Sequence, residues 1–193
     1  ALEIMKNATE VIRLAERATT AIPEFSSQMA TVIDAYRSSA LARFHQSFYE
    51  DQHDHPEAWP HTYDRVPLDS LPACVRQPLE HPNDLLLKPA LIQHVVRALM
   101  SHGWRPRHIA GLIRSKYERD YGWGQRWFRY DASSRADFYV RIFAGAIVTG
   151  RDQLIDFNCI STQEKQFCPV EHCGNNLVPL RESLLQKVGG QRK

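Results

Sequence analysis

Cysteine, arginine and the aromatic residues carry most of the chemistry this chain could do. Four cysteines, Cys74, Cys159, Cys168 and Cys173, are separated by 84, 8 and 4 residues. Four thiolates are the full ligand complement of a cubane iron–sulfur cluster or of a tetrahedral zinc ion. Cys74 can join the other three only if the long interval folds back on itself. A shared metal would then fasten the beginning of a domain to its end and add to its folding free energy. Pro72 and Pro169 stiffen the backbone beside two of the thiols. Spacing alone leaves three other readings open. Isolated cysteines commonly serve as small buried apolar side chains. Two disulfides would suit an exported protein, although nothing marks export. Zinc could also take Cys168, His172 and Cys173 with Cys159 as fourth ligand, leaving Cys74 in the core.

Basic side chains form the second group. Arg107 and Arg114, seven residues apart, return to nearly one face of a helix, with Lys116 a weaker third member. They could hold phosphates without reading bases, or lie solvated on an exposed face. The run from Tyr121 to Tyr130 interleaves Trp123, Trp127 and Phe128 with Arg126 and Arg129. Such interleaving neutralises phosphates while a ring stacks on an unpaired base, and Trp123, Arg126 and Arg129 are the better contact candidates. Trp127 serves equally well as a cap on a small core. Arg135 and Arg141 follow in the next helix, on different faces, so at most one extends the basic surface directly. Arg76, two residues after Cys74, either offsets charge at a metal or joins that surface.

Other chemistry is poorly represented. The sequence holds no Ser-His-Asp set, phosphate loop or zinc-protease motif. His53, His55 and His61 are irregularly spaced, which argues against a dedicated metal site. His94, His102 and His108 suit structural hydrogen bonding, and Asp131 and Asp137, six apart, cannot share a helix face as paired carboxylates.

Charge is uneven along the chain. Residues 1–87 carry 7 basic and 13 acidic side chains, whereas 94–151 carry 11 basic and 4 acidic, within a total of only +2. A middle region of that sign, mostly arginine, suits phosphate, unless its arginines pair with the acidic N-terminal part. At 193 residues and 43% hydrophobic content, one packed domain with a helical extension is expected. The densest apolar patch, Ile142 to Val148, is core-sized rather than membrane-sized. Residues 1–20 lack the features of a secretory signal. The helical pattern begins almost at Ala1, as expected of a piece of a longer protein.

Helical periodicity positions these groups. Residues 4–19 and about 26–49 read as two amphipathic helices whose stripes suit core packing. Residues 50–67, rich in His and Pro, read as a connection between modules. Residues 66–74 read as a short turn of helix leading to Cys74, and Pro78, Pro82 and Pro89 as punctuation of a loop. A helix follows from Lys88 or Pro89, closed by Gly103, and another opens at Pro106. Ser133 or Ser134 caps a further helix ending at Gly150. Residues through Cys159 and Cys168 read as irregular chain around a site, and Leu180 to Val188 as a last short helix. No period-two pattern appears, so the expected fold is mainly α.

The stretch Leu71-Pro72-Ala73-Cys74-Val75-Arg76, the helices Leu91–Gly103 and Ile109–Tyr117, and the segment Asp131–Gly145 resemble the C-terminal iron–sulfur domain of the large subunit of archaeal and eukaryotic DNA primases. The resemblance covers a little over half of the chain. It implies a helical domain with a four-iron, four-sulfur cluster on Cys74, Cys159, Cys168 and Cys173. It further implies binding of single-stranded or primer–template DNA beside a separate primase catalytic subunit or a fused catalytic domain, with no catalytic residues of its own. The last two cysteine intervals are shorter than in the familiar large subunits, and residues 1–66 do not match. A bacterial, plasmid or phage relative is therefore expected. Residues 1–66 would be a helical extension and linker, and 67–193 the iron–sulfur domain, cytoplasmic or nucleoid-associated. The alternative is a zinc-stabilised nucleic-acid-binding or protein-adapter module.

Overall fold

A computed structural model describes residues 6–18, 24, 26–82, 86, 88–117, 132–170 and 173–190. Their architecture is mainly helical, and no strand occurs among them. The chain divides into two compact units, Ala1–Tyr36 and Arg37–Lys193. That division falls well before the expected boundary at 66.

The first unit holds α1 (Ala8–Arg17) and α2, which spans Ser26–Arg37. Asn7 caps α1 by accepting from the Glu10 amide at 3.3 Å. Neither helix buries a residue, and Val11, Ile12, Leu14, Met29, Val32, Ile33 and Tyr36 remain exposed, so these stripes form no core here.

The single helix expected over 26–49 is two. Ser39 adopts extended backbone and its hydroxyl accepts from the Ala42 amide at 3.1 Å, starting α3 (Ala40–Glu50). Serine competes with the helical ladder in this way, and the break separates an exposed helix from one that buries Phe44 and Phe48.

Residues 50–67 are also more than a connection. They form two short 3₁₀ turns, Pro56–His61 and Tyr63–Arg65, which bury Trp59 and Tyr63. The Trp59 indole donates to the Asp54 carbonyl at 3.0 Å. One buried aromatic ring in each turn removes enough apolar surface from water to outweigh a polar, proline-rich composition.

Helix α4 (Ala73–Glu80) begins after Pro72 and contains Pro78, which the loop reading had misplaced. Proline lacks the amide that would reach the carbonyl four residues back, so the Cys74 carbonyl stays outside the helical ladder. Helices α5 (Pro89–Ser101) and α6 (Pro106–Tyr117) start with proline at the position where no amide is needed. Gly103, at φ +86°, ends α5: its amide donates to the Met100 carbonyl, and the Trp104 amide to that of Leu99. Helix α7 (Ala132–Val148) already includes Ser133 and Ser134, so neither is its cap. Gly150 closes α7 in the same manner as Gly103 closes α5. A short α8 (Cys159–Glu164) and a long α9 (Val178–Gly190) complete the order.

Helix α7 packs against α3, α5 and α6, and α9 lies against α5. The core is built from Ile92, Val95, Val96 and Leu99 of α5, Ile109, Leu112 and Ile113 of α6, and Val140 and Ile147 of α7. Each buried side chain of this kind contributes about 1.5–3 kcal/mol.

Gly111 is needed for a different reason. A Cβ there would overlap the Tyr63 hydroxyl and lie 2.5 Å from His53 Cβ. Gly111→Ala should therefore destabilise the second unit by about 2 kcal/mol, because both neighbours are anchored by hydrogen bonds. Thermal unfolding should shift down by about 4–8 °C. An unchanged midpoint would mean that the 3₁₀ segment moves freely aside.

Candidate metal centre

Cys74 lies in the first turn of α4 and is 3% exposed. Burial pushes its thiol up to about 12, and the charges of Cys168, Cys173 and Cys159 push in the same direction. The C-terminal thiols contribute to this shift less than burial does. Cys159 opens α8, where Asn158 caps the helix by accepting from the Ser161 amide at 2.9 Å. This replaces the irregular chain expected there with a defined turn.

The loop thiols face their own backbone. Cys168 Sγ donates to the Val170 carbonyl at 2.9 Å, and Cys173 Sγ lies 3.7 Å from that of Asn175. Accordingly, no group of three or more His, Cys, Asp or Glu side chains is arranged to hold a metal ion among the described residues. His172 lies outside those residues. The donor set nevertheless suits a thiophilic centre. The buried Cys74 thiol resists ionisation, and a bound cation would offset that penalty. Turning the Cys168 and Cys173 side chains away from their carbonyls is the rearrangement that ligation would require.

One wall of the site comes from α5. His94 Nε2 is 3.2 Å from Cys74 Sγ, and its ring meets Phe157 edge-on at 5.4 Å and Phe167 at 6.2 Å. Burial, reinforced by Arg97 and Lys165, holds the imidazole down at about 4. A neutral histidine can donate its one ring proton to sulfur. The structural role expected for His94 is the one it takes.

One turn along the same helix, Arg97 does what the sequence did not suggest. Its Nε and Nη2 donate to the two carboxylate oxygens of Asp152 at 2.8 and 2.7 Å, and Nη1 donates to Asp156 at 2.9 Å. Both Arg97 and Asp152 side chains are only 5% exposed. Asp152 also accepts from the Leu154 amide at 3.0 Å, and Lys165 bridges to Asp156. The chain leading from α7 to Cys159 is thereby tied to the helix that carries His94. An arginine inside an apolar stripe, with two aspartates four apart downstream, was the available signal.

The expected nucleic-acid contacts separate into several environments. Arg107 pairs with Asp137 at 3.0 Å and lies over the Phe48 ring at 5.1 Å. Arg114 lies over Trp59 at 6.0 Å and reaches His53 Nε2 at 3.2 Å. Helical spacing aligned these two arginines, but different neighbours engage each. Lys116 lines a hollow with Asp64, Asp69 and Glu80. Arg76 approaches Asp69 at 3.7 Å and Glu80 at 3.6 Å. Arg105 pairs with Asp51 at 3.0 Å, which realises the cross-pairing of basic middle and acidic N-terminal part. Arg135 is half-buried on α7, and Arg141 lies between the rings of Tyr49 and Phe138. Trp123, Arg126 and Arg129 lie outside the described residues.

No described helix is long and apolar enough to cross a membrane. Comparison with family models, curated proteins and solved structures found no match.

Proposed function

We propose that this chain is an iron–sulfur accessory domain of a DNA primase or primase-like replication protein. Cys74, Cys159, Cys168 and Cys173 would hold one four-iron, four-sulfur cluster, and the basic surface would bind template or primer–template DNA. Nucleotide transfer would belong to a catalytic subunit or fused domain. What supports this reading is the buried Cys74 thiol, with His94 at 3.2 Å from its sulfur and its ionisation opposed by burial and by the charges of Cys168, Cys173 and Cys159. When bound, the cluster supplies a junction joining four points of the chain. Of this chain's own residues, Cys74, Cys159, Cys168 and Cys173 would hold it, His94, set against Phe157 and Phe167, would stand beside the Cys74 sulfur, and Arg97 would tie down the chain leading to Cys159.

Anaerobic purification followed by iron, sulfide and zinc quantification tests the reading. About four irons and four sulfides per chain, with broad visible absorption, are expected. One zinc per chain and no visible absorption would replace the cluster by tetrahedral zinc at the same thiols. Protein that never binds either metal would overturn the centre altogether.

A further inference from the structure

A groove of about 410 Å³ runs between α3 and α7, lined by Leu41, His45, Arg141, Ile142, Gly145 and Arg151 among others. Leu41, His45 and Tyr49 recur every four residues and form one stripe of α3. Phe138, Arg141, Ile142 and Gly145 form the matching stripe of α7. Gly145 lets the helices approach, since a Cβ there would sit 3.2 Å from the Phe44 ring.

Two features give this groove a ligand chemistry. The first is charge. Its lining carries Arg141, Arg151 and His45 and no carboxylate. Other hollows, by contrast, include Glu50 and Asp51, or Asp64, Asp69 and Glu80, or Asp54. Burial and the nearby Arg141 hold the His45 imidazole below its usual range, so the two arginines supply the positive charge at neutral pH. The second feature is the pair of rings beside it. Tyr49 is 59% and Phe138 48% exposed, and the Arg141 guanidinium lies 5.5 and 5.9 Å from their centroids. Exposed rings alternating with a cation are what an unpaired base and its phosphate require. An acidic peptide could meet the same arginines, but it carries no planar base to stack on the two rings.

We infer that this groove binds single-stranded nucleic acid, with unpaired bases stacked on Tyr49 and Phe138 and phosphates held by Arg141 and Arg151. The inference rests on the nucleic-acid reading above and gives it a site on residues outside the cysteine centre. The α3 side belongs to the part of the chain that the primase resemblance does not cover.

The test is fluorescence anisotropy of a labelled oligothymidylate of about 20 nucleotides with the full chain, over a series of NaCl concentrations. Tyr49→Ala and Phe138→Ala should each weaken binding about tenfold, and Arg141→Gln should lower the salt slope by about one. Both rings are largely exposed, so unchanged thermal unfolding verifies that the variants fold. Photo-cross-linking to an oligonucleotide carrying 5-iodouracil should mark Tyr49 or Phe138. Wild-type binding that survives all three substitutions, with cross-links elsewhere, overturns this site and leaves the nucleic-acid reading intact. Absence of wild-type binding even at low salt overturns both. Self-association removed by Phe138→Ala, without oligonucleotide binding, would reassign the groove to a second copy of the chain.

Discussion

Cys173→Ser should empty the proposed metal centre as completely as Cys74→Ser, although one thiol is half-buried in a loop and the other lies inside a helix. The two substitutions are informative together. If the thiols were unrelated, Cys173→Ser at a partly exposed loop position would change stability by no more than about 0.5 kcal/mol. Cys74→Ser would then cost only what a buried hydroxyl costs without a full partner, about 1–3 kcal/mol. If they share one centre, each loses the same contribution. Structural zinc sites in small domains contribute about 10–16 kcal/mol of apparent binding free energy. Forfeiting even a third of that, about 4 kcal/mol, lowers the unfolding midpoint by about 8–16 °C. The measurement is metal content and thermal unfolding of both variants beside the wild type. A metal-replete Cys173→Ser protein with an unchanged midpoint would remove Cys173 from the proposed ligand set.

Arg97→Met should be the most damaging substitution that touches no cysteine. It leaves the Asp152 carboxylate, 5% exposed, without its bidentate partner. Breaking a buried pair from one side costs about 3–5 kcal/mol, because the remaining charge is stranded. Unfolding should fall by about 6–20 °C. Adding Asp152→Asn should recover part of the loss by removing that charge, and the double-mutant cycle gives the coupling. Metal retention should fall too, since the tie between α5 and the Cys159 arm is cut. An additive cycle with no recovery would show that Arg97 acts through packing on Phe157, over which its guanidinium lies at 5.7 Å.

The same network predicts a pH response. Burial pushes the Asp156 carboxyl up, but hydrogen bonds and charge from Lys165 and Arg97 outweigh it and bring the group down to about 2, against an ordinary 3.8. The folded state therefore holds this carboxylate ionised at a pH where the unfolded chain has taken up the proton. Its stabilisation is fully present above the unfolded value and is lost as pH falls from about 4 towards 2. Asp156→Asn should flatten that limb of a stability–pH profile. An unaltered acid limb would assign the acid sensitivity elsewhere.

Much of the local structure was legible from residue order. Pro89 and Pro106 open helices and Gly103 and Gly150 close them because each acts on its own backbone, through a missing amide or a permitted positive φ. Pro78 was misread because proline's local cost can be outweighed: Val75 and Leu79 around it are fully buried, and their packing keeps the helix. The 50–67 segment was misread for a similar reason, since Trp59 and Tyr63 find a core that composition alone does not reveal.

The candidate site divides along the same line. Four cysteines, and the need for the chain to return on itself if they were to meet, were evident before any fold was known. Where the four come to lie was not, because it depends on how α5 and α7 pack, and packing is a property of surfaces brought together from distant stretches. Pairing decided the arginines as well. Sequence determined how many there are and where they recur along a helix. Tertiary structure decided that Arg97 is consumed by Asp152, that Arg107 is taken by Asp137 and Phe48, and that Arg141 is left between two open rings. A side chain's charge and reach are local properties, whereas its partner and its exposure to solvent exist only once the helices have met.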